Sequence, residues 1–237
     1  EENTLVMFLS DNGGCAEFLR EDGEAHAWPA HYAATARPGE TCRVGNRVGL
    51  EPGPATTFMS YDLPWANASN TPFRRYKHWV HEGGIATPCV ARWPGHTPAG
   101  ALLHQPRHLI DFLPTFLDLA GAAYPVARDG HPLPPLPGES LRAALHGDDV
   151  PRAQPLCWEH EGNRAVRDGA WKLVAIHGQP WELYNMDDDR TELHDLAARE
   201  PERVRALSAV YDAWAARCGV LPWPPKKTRV ADSAVKC

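Results

Sequence analysis

Residues 4–14, TLVMFLSDNGG, constrain the fold of this chain more than any other segment. Six apolar or β-branched residues in succession predict a strand that is buried on both faces, as in the centre of a covered parallel sheet. Because the carboxyl end of such a strand reaches the ligand-binding edge of the sheet, Asp11 and Asn12 are predicted to lie at that edge. The two glycines that follow would let the chain turn sharply without a Cβ clash.

A carboxylate next to a carboxamide offers two hard oxygen donors at the end of this strand. Such donors suit Ca²⁺ or Mg²⁺, whereas zinc is bound mostly by His and Cys. Asp11 and Asn12 are therefore candidate metal ligands. The segment Asp-Asn-Gly-Gly would also make a good turn without any metal, and this segment alone leaves both interpretations open.

A second segment, residues 70–95, carries the other chemical signal. It reads NTPFRRYKHWVHEGGIATPCVARWPG, in which Lys77 lies five residues before Glu82 and a predicted strand follows. The combination resembles the sulfatase family: a strand that ends in SDNGG, then K-x-x-x-x-E-G-G-[IV]-x-x-P, then a strand that ends in W-P-G. The resemblance, to bacterial arylsulfatases in particular, continues through LIDFLPTFLDLAG, LPGESL, HEGNRAVRDGAWKLV and ELYNMDDDRTELHDLA, and so covers nearly the whole chain.

The resemblance implies an α/β fold of the sulfatase and alkaline-phosphatase type, in which helices flank a mixed sheet and a smaller C-terminal antiparallel sheet packs on a helix. It implies that Asp11 and Asn12 are two ligands of a divalent cation, usually Ca²⁺, and that Lys77 is catalytic and binds the sulfate group. The cation and the ammonium would together withdraw charge from the non-bridging sulfate oxygens in the transition state. The expected reaction is hydrolysis of a small-molecule or carbohydrate sulfate ester to an alcohol or phenol plus sulfate.

The nucleophile of the family is absent from this sequence. Sulfatases attack sulfur with a hydrated formylglycine, made from Cys or Ser in a C/S-x-P-x-R motif, and neither Cys42 nor Cys89 begins such a motif. The resemblance therefore implies that formylglycine and further metal-binding aspartates lie upstream of Glu1. On this interpretation the chain is the C-terminal portion of a sulfatase, the N-terminal remainder of the fold is its partner, and the chain alone is inactive.

Other side chains are candidates for contact with the substrate. His160, in WEHEGNR, lies near the end of a predicted strand that in this family can approach the active-site mouth, although a structural role is the alternative. Trp65 could form an apolar wall for the organic part of the ester, or could pack within its loop. His78 and His81 could donate a proton to the leaving group, or could serve in packing. Glu82 is interpreted as part of the turn.

Composition excludes some partners and predicts the organisation of the chain. A net charge of −6 over 237 residues, with no basic run that could follow phosphates, argues against nucleic acid. No apolar stretch approaches the roughly 18 residues of a membrane span.

Residues 1–130 are predicted to complete the large α/β domain with its metal edge and Lys77. Residues 131–237 are predicted to form a smaller subdomain, with short antiparallel strands, a helix at about 201–218 and a tail. The resemblance implies a periplasmic or secreted location.

Two alternatives to a sulfatase follow from the same sequence. A phosphodiesterase or phosphonate hydrolase of the same superfamily tends to have Asp-His at this strand end, since imidazole suits zinc, so Asn12 argues against it. A sulfatase-like binding protein without catalysis would lack a C-x-P-x-R or S-x-P-x-R motif upstream. The upstream sequence would therefore separate an enzyme from a binding protein.

Overall fold

The structure is a computed structural model and describes residues 1–18, 39–60 and 62–224. Its strands, in chain order, are β1 (Val6–Leu9), β2 (Arg43–Val44), β3 (Thr57–Phe58), β4 (Cys89–Arg92), β5 (Ala127–Arg128), β6 (His131–Pro132), β7 (Leu156–His160), β8 (Asn163–Asp168), β9 (Trp171–Ala175) and β10 (Glu182–Asn185). Its helices are α1 (Asp62–Ser69), α2 (Glu82–Ile85), α3 (Phe112–Ala120), α4 (Arg142–Leu145) and α5 (Pro201–Cys218). The predicted tail after residue 224 lies outside the described residues.

Strand β1 forms where the apolar run predicts it, but its surroundings differ from the prediction. It pairs antiparallel with β4 in a two-stranded sheet, and Leu9 lies opposite Cys89. Phe8 in β1 is 74% exposed and Val90 in β4 is 63% exposed. The prediction of a parallel strand covered on both faces is therefore wrong for the described residues, because an apolar run predicts burial and does not specify the direction of the partner strand.

The C-terminal sheet agrees closely with the sequence pattern. Strands β7 to β10 form one antiparallel sheet in the order β10-β9-β8-β7. A two-residue turn at residues 169–170 joins β8 to β9, since Asp168 pairs with Trp171, and Gly169 is in the left-handed region at φ 53°. Helix α5 covers one face of this sheet, where Leu207 and Tyr211 pack against Val166 and Leu173. The smaller antiparallel sheet with its helix is confirmed.

The opposite face of the C-terminal sheet holds the segment that precedes α2. Val80 is buried against Ala165, Val174 and Tyr184 of that sheet and against Met186. A hydrophobic contact of this kind fixes the position of a segment that otherwise has little regular structure. The residues between Lys77 and α2 therefore pack on this face of the sheet.

Two helices show where pattern and structure differ in detail. The segment LIDFLPTFLDLAG begins as a 3-10 turn at Leu109–Asp111 and continues as α3, with Gly121 in the left-handed conformation at its end. Helix α1 was not predicted, since the sequence around it shows few periodic signals. No helix within the described ranges is long and apolar enough to cross a membrane. The division of the chain near residue 130 stays a prediction.

Candidate active site

Two loops carry the predicted site residues, and backbone hydrogen bonds join these loops. The amide of Gly13 donates to the carbonyl oxygen of Gly84 at 3.0 Å, and the amide of Lys77 donates to the carbonyl oxygen of Gly14 at 2.9 Å. The loop after β1 and the segment before α2 thus form one unit. This unit brings the backbones of the Asp11–Asn12 pair and of Lys77 to the same end of β1.

The glycines of both motifs are explained by the close approach of these loops. A Cβ atom on Gly13 would lie 1.8 Å from the carbonyl oxygen of Gly83. A Cβ atom on Gly83 would lie 2.2 Å from the carbonyl oxygens of both Arg74 and Arg75. Gly13 does not adopt a positive φ. It is therefore needed for contact between the two loops, and not for a left-handed turn.

Asp11 and Asn12 present side-chain oxygens that the neighbouring residues do not use. Asp11 is exposed and Asn12 is partly exposed. Within residues 1–18, 39–60 and 62–224, neither side chain has a hydrogen-bond or ion-pair partner. An Asp or Asn that stabilises a turn normally bonds to a nearby backbone N–H group, and no such bond is present in this part of the chain. The donor set therefore fits a hard cation better than a turn alone.

The ammonium group of Lys77 is paired with a carboxylate from the loop after β1. Its Nζ donates to Oε1 of Glu17 at 2.9 Å and lies 3.8 Å from Sγ of Cys15. The hydrogen bond with Glu17 raises the pKa of Lys77, and it lowers the pKa of Glu17. Lys77 is therefore held in its charged form. An ammonium that pairs with a carboxylate oxygen has the charge and the donors to pair with a sulfate oxygen as well.

His160 lies next to the residue that follows Lys77. The rings of His160 and His78 meet edge to face with centroids 5.2 Å apart, and Oε2 of Glu161 lies 3.3 Å from Nδ1 of His78. His78 has a φ of 96°, in the left-handed region that non-glycine residues rarely adopt. One potential ligand atom from each of these three side chains lies within 4.8 Å of the others, a spacing that could hold a metal ion.

Asn163 explains this cluster without a metal. Its Oδ1 accepts from the amide of His177 at 3.1 Å and its Nδ2 donates to the carbonyl oxygen of His160 at 2.9 Å, which fixes the orientation of the amide. The second hydrogen on Nδ2 then points to Nε2 of His78 at 3.3 Å, so this nitrogen must accept. Nδ1 of His78 lies 3.3 Å from Oε2 of Glu161. Each ring nitrogen of His78 thus has a protein group next to it.

Trp65 lies on α1 and not in an irregular loop. Its side chain is 67% exposed and lines a shallow groove with Pro52, Ala68 and Ser69. This exposure argues against the alternative that Trp65 packs within the surrounding segment. Its contact with a substrate stays a prediction.

The sequence did not predict a buried ionic cluster that joins β9 to Glu82 of α2 and to Glu192. Lys172 in β9 is fully buried, and its Nζ lies 2.7 Å from Oε1 of Glu82 and 2.8 Å from Oε1 of Glu192. Burial raises the pKa of Glu82, but the ammonium of Lys172, together with the charges of Arg167 and Arg190, more than offsets this effect, so the pKa of Glu82 is lowered. The available signal was a charged residue between Trp171 and Leu173, in a strand that otherwise reads as apolar.

Comparison with known proteins identifies two family models along the chain. The model described as Sulfatase matches residues 1–122, and the model described as N-sulphoglucosamine sulphohydrolase, C-terminal, matches residues 74–209. An uncharacterized sulfatase of Schizosaccharomyces pombe is 28% identical over 234 residues, which cover 94% of this chain and 40% of that protein. A sulfatase of Formosa agariphila is 26% identical over 191 residues, which cover 67% of this chain and 34% of that protein.

The chain therefore spans no more than about two fifths of the length of these relatives. Among solved structures, that of Ps i-CgsB matches with a TM-score of 0.59 and 23% identity, over 90% of this chain and 37% of that one. The PsFucS1 sulfatase from Pseudoalteromonas sp. matches with a TM-score of 0.57 and 20% identity, over 92% of this chain and 38% of that one. These likenesses show the alkaline-phosphatase-like α/β fold of sulfatases. Since a sulfatase model matches more than half of the 237 residues, the chain belongs to the sulfatase family.

Proposed function

We propose that this chain is the C-terminal portion of an enzyme that hydrolyses a sulfate ester to an alcohol or phenol plus sulfate. We refer to the chain together with the segment proposed to precede it as the intact protein. The observation that carries the proposal is the pair of backbone hydrogen bonds between the loop after β1 and the segment before α2. These bonds hold the backbones of Asp11, Asn12 and Lys77 near one end of β1, which supports a common role for their side chains.

Asp11 and Asn12 are proposed to ligate a divalent cation, Ca²⁺ or in its place Mg²⁺. The carboxylate and the carboxamide fit such an ion because both are hard donors and neither has another partner in the described ranges. When bound, the ion would supply Lewis-acid polarisation of the sulfate oxygens.

Lys77 is proposed to bind a non-bridging sulfate oxygen and to stabilise the charge that develops there in the transition state. Its pairing with Glu17 supports this role, because the ammonium already holds an anionic oxygen at 2.9 Å. Substrate would replace Glu17 as the partner of Nζ. The side chain of Lys77 is 40% exposed, so an incoming anion can reach it.

The formylglycine nucleophile and the remaining metal ligands are proposed to lie upstream of Glu1. Two observations support this arrangement: the chain covers about two fifths of its relatives, and the apolar face that contains Phe8 and Val90 is exposed. The N-terminal remainder of the fold would cover that face. The chain alone would then have no sulfatase turnover.

The proposed substrate is a small-molecule or carbohydrate sulfate ester. Ps i-CgsB, a structural neighbour, has been solved in complex with k-i-k-neocarrahexaose, which favours the carbohydrate class. His160 and Trp65 are proposed to contact the organic part of the ester, His160 from beside His78 and Trp65 by stacking its exposed ring on a sugar face. Export to the periplasm or the medium is proposed on the family resemblance.

The test compares the Lys77→Ala variant of the intact protein with wild type on an aryl sulfate and on sulfated oligosaccharides. We expect kcat/KM to fall by about 10²- to 10³-fold, because one charge contact in the transition state is lost. Arg128→Ala is the matched control, since it removes an exposed cation from β5. An unchanged kcat/KM in Lys77→Ala would remove Lys77 from the site.

The same assay separates the alternatives. Hydrolysis of phosphodiesters or phosphonates in preference to sulfates would favour the related phosphodiesterase or phosphonate hydrolase. Binding of sulfated ligands by wild type without turnover, together with an upstream segment that lacks the C/S-x-P-x-R motif, would favour a sulfatase-like binding protein.

A further inference from the structure

The buried ionic cluster beneath α2 contains two carboxylates and one ammonium. Lys172 and Glu192 are fully buried and Glu82 is 4% exposed. Two further cations act on Glu82: Arg167, and Arg190, whose Nη2 lies 3.8 Å from Oε2 of Glu82. Apolar residues of similar volume are often at least as stabilising as a buried ion pair, so stability alone does not account for this cluster. The cluster also fixes the positions of Glu82, Lys172 and Glu192 relative to one another.

Glu192 is held in an unusual backbone conformation by contacts of its carbonyl oxygen and of its side-chain carboxylate. Its φ is 57°, in the left-handed region. Its carbonyl oxygen accepts from Nη1 of Arg74, and its Oε2 accepts from the amide of Glu82 at 2.9 Å. A non-glycine residue keeps such a conformation only where its surroundings determine it. Here those surroundings are the two ends of the segment that contains Lys77.

The segment between Arg74 and Glu82 is closed by its own backbone as well. The amide of Gly83 donates to the carbonyl oxygen of Arg74 at 2.9 Å, so the two ends of the segment are adjacent. Nη1 of Arg74 also donates to the hydroxyl oxygen of Tyr184 in β10 at 3.0 Å. Lys77 lies at the middle of this closed segment, and its amide reaches the loop after β1.

We propose that Lys172 and Glu192 are positioning residues for Lys77: through Glu82 they hold α2 and the closed segment in the one orientation that joins Lys77 to the loop after β1. Neither residue would touch the substrate. This inference rests on the proposed function for its effect on rate, but its effect on the geometry of the segment does not.

A pair of substitutions at Glu192 separates the loss of its hydrogen-bond acceptor from a change in the size of its side chain. Glu192→Gln keeps a side-chain oxygen that can accept from the amide of Glu82, whereas Glu192→Leu removes it. In the intact protein we expect Glu192→Leu to lower kcat/KM for a sulfate ester by at least about tenfold and Glu192→Gln to retain most of it. Glu202→Leu is the matched control, because Glu202 is 79% exposed in the first turn of α5.

Hydrogen exchange provides the readout that a merely structural role would not produce. The amides of Gly13, Lys77 and Gly83 should exchange at least about tenfold faster in Glu192→Leu than in wild type, since their acceptors lie in the loops that lose their support. The amides of Val166 and Leu173, inside the C-terminal sheet, should keep their protection.

Lys172→Met with Glu82→Gln and Glu192→Gln is a second test, in which the buried ammonium and both carboxylates are removed together, so the fold should survive. This variant should show the same selective rise in exchange at Lys77 and Gly83. Unchanged protection of these amides in both variants, or a uniform rise that includes β8 and β9, would overturn the proposal. If wild type hydrolyses no sulfate ester, the proposed function fails, and the exchange data still decide the positioning role.

Discussion

The substitution Gly13→Ala tests the contact on which the candidate site depends. A methyl group at residue 13 would lie 1.8 Å from the carbonyl oxygen of Gly83, whereas an ordinary contact begins at 3.4 Å. The two loops would therefore have to separate by more than an ångström. A displacement of that size breaks the hydrogen bonds from the amides of Gly13 and Lys77, which are 3.0 Å and 2.9 Å long.

The magnitude follows from these losses. Two hydrogen bonds contribute a net amount of about 2 kcal/mol, and forcing a methyl group into a packed contact adds about 1–2 kcal/mol. We expect Gly13→Ala to lower the free energy of unfolding by about 3–4 kcal/mol. Affinity for Ca²⁺ should fall as well, because the movement displaces the Asp11–Asn12 pair.

Urea unfolding measures the first quantity and calorimetric titration of the intact protein with Ca²⁺ measures the second. Gly95→Ala is the control, since a Cβ there meets nothing within 4 Å while the φ of 76° still disfavours alanine. That backbone cost is about 1–2 kcal/mol. If Gly13→Ala is no less stable than Gly95→Ala and binds Ca²⁺ like wild type, the close contact of the two loops does not organise the site.

Three further predictions concern the C-terminal sheet, the ionic cluster and the groove beside Trp65. A hydrogen bond from His81, with another from Tyr184, lowers the pKa of Glu182 from 4.5 to about 2. The ionised Glu182 therefore stabilises the fold by about 2 kcal/mol, after a discount for its partial exposure. This stabilisation is fully present above pH 4.5 and is lost as the pH falls towards 2. Glu182→Gln should thus destabilise at pH 7 and be neutral near pH 2 in urea unfolding; an equal effect at both pH values would contradict it. Lys172→Met should cost about 3–5 kcal/mol in the same assay, because two buried carboxylates lose their cation, and an unchanged unfolding midpoint would refute this. Trp65→Ala should leave the free energy of unfolding within about 0.5 kcal/mol of wild type but raise KM for a sulfated oligosaccharide about tenfold, and an unchanged KM would exclude Trp65 from the substrate site.

The C-terminal sheet and helix α5 were predictable because local signals specify them. Asp168-Gly169 is a strong hairpin signal, and apolar residues at Val204, Leu207 and Tyr211 follow helical spacing up to Gly219. Helix α5 occupies the predicted residues 201–218, and the turn between β8 and β9 lies one residue beyond Asp168-Gly169. In each case the deciding interaction lies within a few residues along the chain.

The pairing of β1 and the support of Lys77 were not predictable in this way. An apolar run is compatible with a parallel or an antiparallel neighbour, and β1 takes the antiparallel one in β4. The contact of Lys172 with Glu82 joins residues 90 positions apart. No spacing rule covers such a distance, and a lysine inside a strand carries no indication of its partner.

The sequence by itself determined the family and the residue types of its motifs: two adjacent oxygen donors after a strand, an ammonium before a Glu-Gly-Gly turn, and glycines where no side chain fits. Tertiary structure alone decided how these parts meet, through two backbone hydrogen bonds between distant loops and a buried ionic cluster beneath them. The physical reason is that a motif encodes local geometry, whereas the exclusion of a Cβ at Gly13 and the pairing of the Glu82 carboxylate with Lys172 depend on atoms that only folding brings into contact.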